Sequence, residues 1–184
     1  MFFPEPQGLA PDADINNREL LEPAMGLQQS VLIMDQYGLW NVVSAVQGAT
    51  PHPNPEYREI IRNNMQEMTQ GYVLLFYFSI WDHYFDRNTS PTVVDNWLTA
   101  EEALRFRAIK HVRHCIAHSF DGQRVEQNIS HFNQVMSGVR PFHGIQFTES
   151  TIDLSGSQIA TECRSFFNEI APQLVARLAN DSRP

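Results

Sequence analysis

The sequence predicts an all-α fold, an up-and-down bundle of four or five helices. Apolar residues recur at three- and four-residue steps over several long stretches, which is the pattern of a helix with one face in a core. Helix-capping residues stand directly before these stretches. The chain has 184 residues, of which 42% are hydrophobic and 18% charged, as expected for one globular domain. We therefore predict a single helical domain over residues 14–184.

The N-terminal part of the chain predicts an irregular arm followed by a long helix. Residues 1–13 contain three prolines and a glycine and have no apolar periodicity, so they are expected to be an arm without regular structure. The periodic pattern begins at residues 14–17 and continues to about Gln47. It predicts a first helix that is bent near Pro23 or Gly38.

The second helix is predicted to begin at Asn54-Pro55-Glu56. These residues place an asparagine at the N-cap, a proline at the first helical position and an acid in the first turn. The apolar pattern then continues to about Phe85. The second half of this helix is apolar nearly all round, and we expect that half to be buried.

A loop over 86–91 and a short helical turn over 93–98 are expected to connect the second helix to the third. The third helix begins with a capping box, in which Thr99 is the N-cap and Glu102 is the third helical residue. It is predicted to end at about His118, before a glycine-containing turn.

The remaining chain predicts a weaker helix, a small hairpin and a last long helix. The weaker helix covers 124–137, and two short alternating runs within 145–154 predict the strands of a β-hairpin. Ser155 or Ser157 is expected to cap the last helix, which Pro172 is expected to kink.

Composition excludes several classes of protein. Two cysteines argue against a disulfide framework and fit a reducing cytosol, so a cytoplasmic protein is expected. No apolar run approaches the ~18 residues of a membrane span, and the first residues lack the features of a secretory signal. The net charge of −8 disfavours a general nucleic-acid coat protein but leaves room for a local basic site.

Cations and histidines are concentrated in one part of the chain. Five of the thirteen cations and three of the seven histidines fall within twenty residues: Arg105, Arg107, Lys110, Arg113 and Arg124, with His111, His114 and His118. The simplest explanation is a solvated helix face. Arginine and histidine at the C-terminal end of such a helix also interact favourably with the helix dipole.

A more specific interpretation rests on the order of these residues. Arg113 is followed directly by the polar residue His114, and His118 stands five positions after Arg113. This pattern at the end of a capped helix resembles the signature of HEPN domains (higher eukaryotes and prokaryotes nucleotide-binding). The chain most resembles the bacterial and plasmid-borne HEPN proteins of toxin–antitoxin and defence loci. The resemblance as a bundle covers about 15–180, and its specific part about 105–122.

The resemblance implies a metal-independent endoribonuclease that works as a homodimer and needs no cofactor. RNA is its substrate, and an antitoxin protein is a further expected partner. Cleavage in such a site uses the RNA's own 2′-hydroxyl and leaves a cyclic phosphate. Arg113 and His118 would be the catalytic residues, the first stabilising charge and the second transferring a proton. The expected RNA-binding residues are His114, Lys110, Arg107 and Arg124.

The chemistry of the two catalytic candidates fits these roles. Arginine stays charged and presents a fork of donors that matches phosphate oxygens. Histidine titrates near neutrality and can both give and take a proton. Five residues along a helix amount to about 140° of rotation and ~7.5 Å of rise. Arg113 and His118 can therefore act together only if the helix unwinds at His118 or if two chains combine their residues.

Two other functions remain open at this point. One is a catalytically silent HEPN-like module that binds nucleotide, RNA or protein. The other is a metal-binding helical protein, because imidazole and thiolate groups three or four residues apart can ligate zinc. The residues of that site would be His111, His114, Cys115 and His118, with His83, His131 or Asp121 as outside ligands.

Overall fold

Helices make up most of the described chain, which confirms the predicted all-α fold. The computed structural model describes residues 17–37, 54–118, 126–132, 146–147, 152–154 and 158–184. The long helices are α1 (Asn17–Tyr37), α2 (Pro55–Tyr84), α4 (Ala100–Ala117) and α6 (Ile159–Ala179), and α3 is shorter (Thr89–Trp97). Residues 126–132 form a further helical segment, α5. The predicted arm over 1–13 lies outside the described residues, as does the part of the first predicted helix after Tyr37.

The helix starts that local capping residues predict are confirmed. At α2, Asn54 Oδ1 accepts a hydrogen bond from the Glu56 backbone N–H at 3.0 Å. At α4, Thr99 Oγ1 accepts from the Glu102 N–H at 3.2 Å, while Glu102 Oε2 accepts from the Thr99 N–H at 2.7 Å. These bonds satisfy N–H groups that have no partner inside the helix.

Helix α3 corrects the predicted loop over 86–91, because it already begins at Thr89. The carboxylate of Asp86 accepts bonds from the N–H of Asn88 at 2.9 Å, and from the N–H and hydroxyl of Thr89 at 2.8 and 2.7 Å. These bonds lower the pKa of Asp86. Pro91 fits in this first turn because its missing N–H needs no partner there.

Helix α6 corrects the predicted serine cap. It begins at Ile159 with Gln158 at the N-cap, and the Gln158 side chain makes no capping bond. Instead Gln70 of α2 provides the acceptor, since its Oε1 atom receives the Ala160 N–H at 2.8 Å inside the core. Pro172 lies within α6, and the helix continues beyond it.

The two weaker predictions in the C-terminal half concern α5 and the hairpin. The helical residues 126–132 lie inside the predicted helix over 124–137, whose remaining residues are outside the described part. The strands β1 (Gln146–Phe147) and β2 (Ile152–Asp153) pair antiparallel, as the alternating pattern predicts. In this pair Gln146 lies opposite Asp153 and Phe147 opposite Ile152.

Aromatic side chains from α2, α4 and α6 form the centre of the core. The ring centroids of Trp81 and Phe106 are 4.6 Å apart, and those of Phe78 and Phe167 are 5.5 Å apart in an edge-to-face arrangement. All four rings are at most 1% exposed. Such pairs add to the free energy gained by burial alone. The core therefore fixes α4 against α2, which positions the residues discussed below.

The second half of α2 is not buried all round, contrary to the sequence prediction. Val73, Leu74 and Tyr77 face the core, but Tyr72 and Phe76 are 56% and 46% exposed. Core helices cover only one side of α2 in the described part of the chain. Gly71, next to Tyr72, allows close packing, since a Cβ atom there would lie 3.2 Å from Ile116 Cγ2 of α4.

No helix among the described residues is both long enough and apolar enough to cross a bilayer.

Candidate functional site

The candidate site lies at the C-terminal end of α4, where the helix stops at His118. The residue has φ −116° and ψ 25°, so its backbone has left the helical conformation, although its N–H still bonds the His114 carbonyl at 3.0 Å. This is the first of the two arrangements that the rotation of 140° between Arg113 and His118 allows. His118 is positioned by the end of the helix rather than by its regular face.

Arg113 is held between two neighbours. Its Nη2 atom donates to Asp82 Oδ2 of α2 at 3.1 Å, and its Nη1 atom donates to His114 Nδ1 at 3.3 Å. The side chain is 23% exposed. Its Nε atom is buried and has no hydrogen-bond partner within the described residues. The two bonds orient the guanidinium and use one N–H of each Nη atom, so that each Nη atom keeps a second N–H as a donor.

His114 connects Arg113 to His118. Its ring is parallel to that of His118 within 10°, with 6.2 Å between the centroids. Burial lowers the pKa of His114 to about 4, and the neighbouring charges of Arg113 and Lys110 act in the same direction. The imidazole is therefore neutral at pH 7. Because Nδ1 accepts from Arg113, the proton of this neutral ring is on Nε2.

Lys110 adds a second cation to the cluster, one turn before His114. Burial lowers the pKa of Lys110, the carboxylate of Asp82 raises it, and the charges of Arg113 and Arg87 lower it further. Its Nζ atom also lies 6.0 Å from the centroid of the Phe106 ring. Arg113 and Lys110 thus place two cations near the carboxylate of Asp82, so this part of the described surface is locally positive although the whole chain is acidic.

Arg107 does not join this cluster, although the sequence places it with the expected RNA-binding residues. Six residues before Arg113 correspond to about 240° of rotation, so the two side chains leave α4 in different directions. Arg107 forms an ion pair with Asp95 of α3. It lines a separate open cavity of about 550 Å³ beside Leu98 and Pro184. Arg124, the remaining expected RNA-binding residue, lies outside the described residues.

Among the described residues, the histidines are not placed to form the metal site that the sequence left open as an alternative. His111 points to α5, where its Nδ1 atom is 3.2 Å from Asn128 Oδ1 and its ring centroid is 5.3 Å from that of His131. Cys115 faces the core, and burial raises the pKa of its thiol to about 11. Within the part of the chain that the structure describes, no three ligand side chains are placed to hold one metal ion. Asp121, one proposed outside ligand, is not among those residues.

Asp82 is the functional candidate that the sequence did not indicate. It lies on α2, 31 residues before Arg113, and no local motif links the two. The feature of the sequence that could have identified Asp82 is its position next to Trp81, as a lone carboxylate in the most apolar part of α2. A carboxylate in that position requires a polar partner or solvent.

Comparisons of the chain with protein-family models, with curated proteins and with solved structures give no significant match.

Proposed function

We propose that this protein is a metal-independent endoribonuclease of the HEPN type. The observation that carries the proposal is the group formed by Arg113, His114 and His118 at the end of α4, with Asp82 and Lys110 beside it. It combines an oriented guanidinium, a second cation and a histidine at the surface. These groups can supply the proton transfer and the charge stabilisation that phosphodiester cleavage by an internal nucleophile needs.

In the proposed reaction the 2′-hydroxyl oxygen attacks the adjacent phosphorus atom and the bond from phosphorus to the 5′-oxygen breaks. A base takes the proton of the 2′-hydroxyl, and an acid gives a proton to the leaving 5′-oxygen. The products are a 2′,3′-cyclic phosphate and a 5′-hydroxyl. His118 is the proton-transfer residue, and Arg113 stabilises the charge that develops on the phosphate oxygens. His114 orients the guanidinium of Arg113 by accepting its hydrogen bond.

The proposed active form is a homodimer in which α4 contributes to a two-fold interface and the two copies of Arg113 lie near each other. A second copy would supply the base or acid that one His118 cannot provide in both steps at once. We propose a cytoplasmic role in a toxin or defence system, with an antitoxin protein as a further partner.

A catalytically silent module that binds RNA, nucleotide or protein is the second candidate. The ion pair between Arg113 and Asp82 favours it, since a phosphate must compete with this carboxylate for the guanidinium. Asp82 is 49% exposed, so solvent weakens the pair and an RNA phosphate can replace it.

The direct test incubates the purified chain with a fluorescent single-stranded RNA in excess EDTA. We expect cleavage to persist and the 5′ fragment to end in a 2′,3′-cyclic phosphate, which mass spectrometry identifies. Binding without cleavage would favour the silent module. Activity that stops when a stoichiometric metal is removed would contradict the metal-independent mechanism.

Light scattering tests the proposed assembly on the same sample. At micromolar concentration we expect the mass of a dimer. A chain that stays monomeric with and without RNA would exclude a composite site between two copies.

A further inference from the structure

The exposed side of α2 borders the Arg113 cluster along its length. Gly71 packs against Ile116 and Asp82 binds Arg113, so the part of α2 between these two contacts runs beside the last turns of α4. Tyr72 and Phe76 lie within this part of α2. They are displaced by about 100° and 140° around the helix axis from Gly71.

The side of each helix that faces the core is defined by its buried residues. Tyr77 and Trp81 of α2 and Ala108 and Cys115 of α4 are buried in the core. The opposite sides of the two helices therefore open onto one surface. Tyr72 and Phe76 stand on the α2 side of this surface, and the Arg113 cluster stands on the α4 side.

Two half-exposed aromatic rings one helical turn apart are costly on a surface that binds nothing. Next to a positive cluster, the same rings match the sites of proteins that bind single-stranded nucleic acid. Those sites combine cations that follow the phosphates with aromatic side chains that stack on the bases. The charges on this surface favour RNA over an apolar protein partner, because Arg113 and Lys110 bring two cations to one neighbouring carboxylate, Asp82.

We propose that Tyr72 and Phe76 are base-stacking residues, which hold the bases of an unpaired RNA on α2 while its backbone passes Arg113. This inference rests on the function proposed above and specifies which residues hold the bases of the RNA. Bases in a duplex are stacked on each other and cannot reach the two rings, so double-stranded RNA is a poor ligand.

The experiment measures RNA binding in a His118→Ala background, where cleavage does not disturb the equilibrium. Fluorescence anisotropy gives Kd for a fluorescein-labelled single-stranded 12-mer, for the same strand with abasic nucleotides and for its duplex. The variants Tyr72→Leu and Phe76→Leu keep an apolar side chain but remove the ring. Stacking on an aromatic residue contributes about 5- to 150-fold in Kd for each base. We expect losses in this range for the 12-mer and changes below about twofold for the abasic strand.

Two kinds of control define the result. Tyr72→Phe keeps a ring and should keep the wild-type Kd. Tyr57→Ala removes a tyrosine of the same helix that is also 56% exposed but lies ~22 Å along the axis, and it should leave Kd unchanged.

The outcomes separate this inference from the proposed function. If the wild-type chain cleaves RNA but both leucine variants bind the 12-mer normally, the stacking proposal is wrong and the nuclease stands. If the leucine variants weaken binding of the abasic strand equally, or if Tyr72→Ala turns a dimer into a monomer, the rings serve a protein contact and stacking is excluded. If the wild-type chain neither binds nor cleaves RNA, both proposals fail together.

Discussion

The two ends of α4 carry the same kinds of groups and use them differently. At the N-terminal end, Glu102 accepts bonds from both terminal nitrogens of Arg177, at 2.7 and 2.9 Å, and also caps the helix through Thr99. The two side chains of this pair are only 12% and 17% exposed. At the C-terminal end, Arg113 has a half-exposed carboxylate, a neutral imidazole and a buried Nε atom without a partner in the described chain.

This difference separates a structural ion pair from a candidate ligand site. The groups around Glu102 are hydrogen-bonded to one another. A ligand could bind them only by breaking these existing bonds. The groups around Arg113 leave donors unused and place cations in excess. An arginine contributes to stability at the first end, whereas in the proposed function it binds RNA at the second.

The largest expected effect is a lower rate of RNA cleavage in variants at the C-terminal end of α4. His118→Ala removes proton transfer and should lower the cleavage rate by about 10²–10⁴. Arg113→Ala removes one charged donor and should cost about 10²–10³. The double variant should be little worse than the worse single variant, because the two residues act as a unit. A fluorescent-RNA assay measures the rates.

Melting curves for the same variants supply the control. Neither change should lower Tm by more than a few degrees, since both side chains are partly exposed and solvent weakens the pair between Arg113 and Asp82. Full activity in both variants would exclude this site. A loss of activity that follows a loss of folding would instead mean that the residues only stabilise the end of the helix.

At the N-terminal end the large effect should be on stability. Glu102→Ala leaves the guanidinium of Arg177 without its carboxylate and also removes half of the capping box. Breaking such a buried pair lowers the free energy of unfolding by about 3 kcal/mol. Urea denaturation measures it. A decrease of less than about 1 kcal/mol in the free energy of unfolding would mean that solvent screens the pair between Glu102 and Arg177 as it screens exposed ion pairs.

The pH dependence of stability tests the environment of His114 at the C-terminal end. Burial lowers the pKa of His114 to about 4, whereas a histidine in the unfolded chain has a pKa near 6.5. Between these values the unfolded chain binds a proton that the folded chain does not. The free energy of unfolding should therefore fall as the pH decreases from about 6.5 towards 4.

His114→Gln tests this assignment, because glutamine keeps an acceptor for Arg113 but does not titrate. Urea unfolding at pH 7 and pH 5 should show a smaller decrease for the variant than for the wild-type chain. His111 contributes in the same direction, so part of the decrease should remain. Equal decreases in both proteins would contradict the buried, neutral state of His114.

The smallest effect is expected for the exposed pair between Arg107 and Asp95. Both side chains are more than 40% exposed. Asp95→Ala should therefore change the free energy of unfolding by no more than about 1 kcal/mol, and cleavage should stay unchanged. This variant is the matched control for Glu102→Ala. A large loss of activity in Arg107→Ala would instead show that the surface around Arg107 takes part in RNA binding.

The sequence predicted those parts of the fold that depend on residues close together in the chain. Asn54 and Thr99 cap helices through partners two or three residues away, so their pattern identifies the helix starts. The start of α6 could not be found this way, because its acceptor is Gln70, 90 residues earlier. The start of α3 was missed because its capping carboxylate belongs to Asp86, two residues before the N-cap residue Asn88.

The same distinction applies to the candidate site. Arg113, His114 and His118 share one helix end, and their spacing alone brings them to attention. The carboxylate of Asp82 joins them only through the packing of α2 on α4. Arg107 was included because it is near in sequence, whereas the helical rotation directs it to α3.

The bond between Gln70 and Ala160 has a kinetic consequence. The Ala160 amide lies in the first turn of α6, where amides commonly exchange their hydrogen with deuterated solvent by fraying. Here the amide is fully buried and its acceptor belongs to another helix. Fraying of α6 alone does not expose it, so exchange requires α2 and α6 to separate. Among the helix ends that the structure describes, the amide of Ala160 should therefore exchange slowly, and its exchange rate reports opening of the core.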